Sequence, residues 1–185
     1  RLVGSEMCIR DSFRVAEECV HDLNDDGIIY AEVRFAPELF REKGLTLDEV
    51  IAAVLQGFES GMRDREIIVK GILCAMRSSD RSTEIAEAAI SFMDKGVVGF
   101  DIAGPEIDFP PRIHRQAFEI AHRNNLPITI HAGEAAGPEY IEEALTICHA
   151  SRIGHGTSAR EKILDNGQAI TSYGIASEPV SYTHL

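Results

Sequence analysis

Two hydrophobic rhythms alternate along the chain. Short, nearly unbroken apolar runs rich in β-branched residues are separated by longer stretches in which apolar side chains recur every three or four positions. The first rhythm predicts strands over residues 28–35 (IIYAEVRF), 67–76 (IIVKGILCAM), 97–102 (VVGFDI), 127–131 (PITIH) and 152–154, with a sixth opening near Ile175. The second predicts amphipathic helices over residues 13–24, 46–64, 82–95, 111–125 and 138–150, and a further one from about Ser158. Local punctuation agrees with these bounds. Asn24-Asp25-Asp26-Gly27 is a turn signal, Pro37 stops the first strand, and Gly96 stands where a helix ending at Lys95 needs a left-handed residue. Thr46 followed three residues later by Glu49 is a capping box.

Regular alternation of strand and helix argues for parallel strands joined by helical crossovers, an α/β fold. The strands read as near-continuous apolar runs, which suits a sheet covered on both faces. No GxGxxG or GxxxxGK[ST] string follows any strand, which weighs against dinucleotide and P-loop folds and favours a barrel.

Composition narrows the partners. With 185 residues, 44% hydrophobic, the chain can build one sizeable core. A formal charge of −12 excludes bulk attraction to a nucleic-acid backbone. The four cysteines form no CxxC pair, which suits a reducing compartment and a cytoplasmic location. No apolar run is long enough to span a bilayer, so a membrane is not an expected partner. The first residues lack the order of a signal peptide.

Polar residues gather where strands end: Glu32 and Arg34; Asp101, Gly104 and Glu106; His131 and Glu134; His155. In a barrel, active sites lie at the C-terminal ends of the strands. In HAGE (131–134), the strand delivers His131, a common zinc ligand type, to the rim. Gly133 then permits a sharp turn that aims Glu134 back toward the same cavity. The string alone equally fits a hydrogen-bonded rim histidine beside a helix-start glutamate. In IGHG (153–156), His155 is flanked by glycines, as close approach or an unusual torsion requires, and a capping histidine in a glycine turn fits as well. In FDIAGPE (100–106), the backbone of Gly104 can approach a flat ligand closely, although the string also fits a plain turn. His21, His114, His122 and His149 fall in predicted helices and are expected at the surface or at helix ends. Cys74 and Cys148 are expected as small core residues.

VVGFDIAGPE, ITIHAGEAAGPE and RIGHGT, in this order and spacing, closely resemble the adenosine deaminases, and YAEVRFAPELF resembles that family's second-strand segment. The resemblance covers most of residues 13–178. It implies a partial (β/α)8 TIM barrel, roughly strands 2 to 6 with their helices, and one zinc ion. It implies His131 as a zinc ligand and Glu134 as the proton donor to purine N1, held protonated by burial or a hydrogen bond. It implies His155 as the group that orients and deprotonates the attacking water, and Gly104 as a backbone contact to the purine. Asp101 is implied behind the metal ligand. The implied substrate is a small purine nucleoside, adenosine or deoxyadenosine, hydrolysed to inosine and ammonia. Rivals are an adenine- or AMP-deaminase-like amidohydrolase and a non-catalytic purine-binding barrel. Nothing in the sequence speaks to oligomeric state.

Residues 1–12 (RLVGSEMCIRDS) and 179–185 (PVSYTHL) resemble translated sequencing-adaptor segments. They are expected to be artefacts flanking a catalytic-domain fragment over 13–178, so Cys8 and His184 are expected to carry no function. The family's first-strand H-x-H and late-strand Asp-Asp have no counterpart in this sequence, which leaves one of about three protein ligands that a catalytic zinc needs. The purified 185-residue chain is therefore expected to fold poorly alone, to hold zinc weakly and to form no inosine. Inosine release at enzymatic rates in a spectrophotometric assay would overturn this.

Overall fold

A computed structural model describes residues 2–41 and 44–159. The elements are α1 (Leu2–Asp25), β1 (Tyr30–Phe35), α2 (Leu47–Met62), β2 (Ile68–Met76), α3 (Ser82–Ser91), β3 (Val97–Ala103), α4 (Arg115–Arg123), β4 (Thr129–Ala132), α5 (Pro138–Thr146) and β5 (Arg152–His155). The strand–helix order is the predicted one. The capping box forms as expected: the Thr46 hydroxyl accepts from Glu49 N, and Glu49 Oε2 accepts from Thr46 N at 2.8 Å. Gly96 takes the left-handed conformation, φ +114°.

Several bounds differ for local reasons. No proline interrupts the residues before Phe13, and α1 runs back to Leu2 rather than starting at Phe13. Helix α3 stops at Ser91 because a 3-10 turn, Met93–Lys95, tightens the descent into Gly96. The expected helix from Pro111 opens as a 3-10 turn, Pro111–His114, before α4 begins. Helix α5 ends at Thr146, and His149 lies beyond it with φ +57°. The helix expected from about Ser158 leaves the described residues at Ala159, and the strand expected near Ile175 lies outside them. No helix among the described residues is long and apolar enough to cross a membrane.

All the described strand pairs are parallel. β1, β2 and β3 form one sheet in that order, β4 and β5 form another, and a bridge between Phe100 and Ile128 joins the two. Alternation along the strands sorts side chains to two faces. Val33, Val69, Leu73, Phe100, Ile102, Ile128 and Ile130 pack with the helices in the main hydrophobic cluster. The opposite face differs from the near-continuous apolar surface expected of these strands. It carries Glu32, Arg34, Lys70, Asp101, Thr129, His131 and Arg152. Arg152 Nη1 lies 2.6 Å from Glu32 Oε2, and Arg152 Nε donates to Thr129 Oγ1 at 3.0 Å. A contact between the first and last described strands requires the sheet to curl, so the polar face is the concave one.

Helices α1 and α2 pack closely because α2 presents glycines to α1. A Cβ on Gly57 would stand 2.7 Å from Ala16 Cβ and would also strike the Phe13 carbonyl oxygen. A Cβ on Gly61 would stand 2.7 Å from Val20 Cβ. Alanine at either site gains about 1 kcal/mol of helix propensity, but the overpacking costs about 1–3 kcal/mol. Gly57→Ala is therefore expected to lower the thermal midpoint, as read by circular dichroism, whereas an exposed helical glycine would raise it.

Candidate active site

The C-terminal ends of β1, β3, β4 and β5 bring Arg34, Asp101, His131 and His155 to one rim. Asp101 is fully buried. Its Oδ1 accepts from Ile102 N at 2.7 Å and from His131 N at 3.2 Å. Its Oδ2 lies 2.7 Å from His131 Nδ1 and 3.3 Å from Arg34 Nη1. Arg34 Nη1 stands 2.8 Å from His131 Nε2. The same Nη1 lies 3.5 Å from Nδ1, but a guanidinium only donates and a carboxylate only accepts, so the shorter contacts match a ring with its lone pair on Nε2 and its proton on Nδ1. The imidazole is thus held with its proton on the Asp101 side and its basic nitrogen toward Arg34.

Strand alternation would send His155 to the helix side, since Gly154 lies on the concave face beside the His131 ring. The backbone prevents this. His155 has φ +65°, and its ring centroid lies 5.3 Å from that of His131. The residue after it, Gly156, has φ +63°, and its N–H donates to Ala132 O at 3.0 Å, pinning the reversal to β4. Glu134 Oε2 then lies 3.6 Å from His155 Nε2, with 60% of its side chain exposed at the rim. Gly133 has φ +74°, and a Cβ there would fall 2.5 Å from Ile141 Cδ1. Gly104 turns the chain out of β3 with φ +107°, exposed beside Met76.

Three further residues support the rim, and of these Glu106 alone lies in a motif, at the end of FDIAGPE. Arg77, which is 1% exposed, donates to Phe109 O at 2.7 Å and to His131 O, and burial lowers its pKa. An arginine directly after the apolar run of β2 is the one sequence signal it leaves. Glu106 is buried, and it accepts from the main-chain N–H groups of Gly133, Glu134, Ala135 and Ala136. Burial raises its pKa, but the amides of Ala136, Ala135 and Gly133 and the charge of Arg77 outweigh that, so it is held below the usual carboxylate range. His114 corrects an expectation. It is 2% exposed rather than at the surface, because its Nε2 lies 3.0 Å from Arg77 O and the 3-10 turn carries it inward. His122 and His149 are exposed as expected, with their rings stacked at 4.2 Å.

Cys74 Sγ, an Asp101 oxygen and a His131 nitrogen lie within 4.8 Å of one another, close enough to hold a metal ion together. Burial, foremost, and then the Asp101 charge push the Cys74 thiol well above its usual range, which keeps it neutral and a weak ligand. A solvent-open groove over the outside of α2, lined by Asp48, Ala52, Gln56 and Phe92, holds none of these groups and plays no part in the chemistry.

Burial also lowers the His114 pKa, so the folded protein favours the neutral ring. Its contribution to stability is complete above about pH 6.5 and declines as pH falls from there toward the lowered folded-state value. Urea midpoints of the full-length protein measured between pH 7.5 and 5 are expected to fall more steeply with His114 present than in the His114→Gln variant. Parallel curves would contradict this.

The sequence model of the family described as adenosine deaminase matches residues 5–168. The adenosine deaminase of Mycolicibacterium vanbaalenii is 55% identical over 148 residues, covering 77% of this chain and 41% of that protein. This chain therefore spans less than half the length of that curated relative. A Burkholderia ambifaria amidohydrolase with bound Zn superposes with TM-score 0.74 at 27% identity, over 85% of this chain and 43% of its own. An Arabidopsis protein, ADAL, complexed with IMP superposes with TM-score 0.72 at 28% identity, over 80% of this chain and 46% of its own. The parallel strands, their curl and these neighbours identify the fold as part of a (β/α)8 barrel. With the family match running across all of the rim residues above, the chain belongs to the adenosine deaminase family.

Proposed function

We propose that this chain supplies the β1-to-β5 portion of the active site of a zinc-dependent adenosine deaminase, which converts adenosine, and deoxyadenosine, to inosine and ammonia. The observation that carries the reading is the convergence of His131, His155 and Glu134 at one rim, where left-handed backbone at Gly133 and His155 turns the chain toward one cavity.

The residues suit a metal of zinc's chemistry. His131 would hold it through Nε2, the nitrogen that carries the lone pair, while Asp101 behind Nδ1 fixes the ring and raises its basicity. Arg34 covers that lone pair at 2.8 Å in this structure and would give way to the ion. When bound, zinc makes water a nucleophile near neutral pH.

The remaining work falls to the chain's own side chains. His155 takes the proton of the water that attacks C6 of the purine. Glu134 gives its proton to N1, so that the ring accepts the incoming oxygen without building up negative charge. The proton taken up by His155 then passes to the exocyclic amine, which leaves as ammonia, while the C6 hydroxyl returns a proton to Glu134 and the C6 carbonyl of inosine forms with N1 still protonated. Gly104, exposed and without a Cβ, lets its backbone lie against the base. A non-catalytic purine binder would have no use for a proton donor facing a water activator. The same donor pair would serve adenine or AMP, so substrate choice is a matter for direct assay.

Glu134→Gln in the full-length enzyme keeps the size of the side chain and removes its transferable proton. Turnover of adenosine is expected to fall by about 10²–10⁴-fold, with KM changed little. Retained turnover would refute the role of Glu134, and faster turnover of adenine or AMP than of adenosine would reassign the substrate.

A further inference from the structure

We propose that Glu106 is the positioning residue for Glu134, its buried carboxylate holding the 133–136 loop in the conformation that brings the Glu134 side chain to His155. The inference rests on the deaminase reading of Glu134 and adds a residue to it.

The argument starts with the amides. Glu106 is 6% exposed. Its Oε1 accepts from Gly133 N at 2.5 Å, and its Oε2 accepts from Glu134 N at 3.0 Å, Ala135 N at 2.7 Å and Ala136 N at 2.9 Å. Four successive main-chain N–H groups converge on one anion. Such a concave array of donors is a nest. Without a negative group at its centre, the four dipoles would repel one another and their N–H groups would lose their partners. The nest and the carboxylate therefore require each other.

The loop is closed in from the other side as well. The Gly133 carbonyl accepts from Ser158 N at 3.1 Å and from the Thr157 hydroxyl. A Cβ on Gly133 would collide with Ile141 and with Ser158 Oγ at 2.6 Å. Two positions before the loop, His131 is tied by its carbonyl to Arg77, whose charge also favours the ionised Glu106. Glu134 is thus fixed at its own N–H while its side chain stays at the rim, 3.6 Å from His155 Nε2. Glu106 is hydrogen-bonded to the backbone of the loop, not to the rim side chains. It acts through the placement of Glu134.

The test is a double-mutant cycle in the full-length enzyme, with hydrogen exchange read alongside. E106Q keeps the volume and removes the charge and one acceptor oxygen. It is expected to lower kcat for adenosine about 10- to 100-fold, the cost of a small misplacement of a reacting group, with KM within about threefold. The double variant E106Q/E134Q is expected to be no slower than E134Q alone, because two residues acting as one unit do not add. Amide exchange at 134–136 is expected to quicken in E106Q, while β2 and β3 keep their protection. If E106Q does not fold, E106D, which keeps the charge but shortens the reach, is expected to show the same non-additivity. A loss in the double variant that multiplies the two single losses, or unchanged exchange at 134–136, overturns the inference and leaves the deaminase reading intact. Turnover that survives E134Q overturns both.

Discussion

Charges enclosed within a curl of parallel strands must meet their opposites, and the rim of this fold is built on that constraint. An isolated charge moved from water into such a space costs several kcal/mol or more, and three of the acidic groups here are answered by partners distant in the chain. Glu32 is answered by Arg152 from β5, and Asp101 by Arg34 from β1. Glu106 is answered by four loop amides and the neighbouring Arg77. These levels run from the floor of the curl to its mouth. The pairs contribute modestly to net stability, because desolvation offsets much of the attraction. The apolar layer between strands and helices, with Ile51, Leu73, Phe100 and Phe118 at its centre, carries the folding free energy. The ion pairs settle which arrangement of strand ends is compatible with that layer.

Above the charges, the backbone does what side-chain alternation alone would not. His155 would face the helices if β5 simply continued, and its left-handed φ reverses it onto His131. Gly133 and Gly104 turn the chain at the ends of β4 and β3 with equally uncommon torsions. Left-handed non-glycine residues cost of order 1–3 kcal/mol each and persist where their surroundings over-determine them. Here the surroundings are the Gly156–Ala132 hydrogen bond and the close packing of Ile141 against Gly133. At the end of β5 that strain falls on His155, where the imidazoles and Glu134 meet, while Asp64, Asp108, Asn125 and His149 take the same conformation in connecting segments.

Sequence reading and structure agree most closely where a local signal decides the outcome. The alternating rhythms located every described strand, Thr46 and Glu49 announced the start of α2, and Gly96 its counterpart at the end of the α3 segment. HAGE, IGHG and FDIAGPE pointed to His131, Glu134, His155 and Gly104 because glycine beside a polar residue at a strand end is visible in the string itself. What stayed hidden depends on partners distant in the chain. His114 reads as a helix-end residue until Arg77, 37 positions earlier, offers it a carbonyl. Glu106 stands out in the sequence as a strand-end acid within FDIAGPE, but its partners stay hidden until the loop 27 to 30 positions later turns four amides toward it. Gly57 and Gly61 leave no signal of their own in the 46–64 pattern, and their role shows only where α1 lies against them.

The sequence by itself determined the alternation of elements and the parallel α/β class, because periodicity and caps are short-range patterns, and its ordered motifs carried the resemblance to the family and pointed to His131, Glu134, His155 and Gly104. The tertiary structure decided the tautomer of His131, the reversal of His155, the burial of His114 and the four-amide clasp on Glu106. Each of these is set by the distance between groups on different strands, and a distance across a curled sheet exists only once the chain has closed around it.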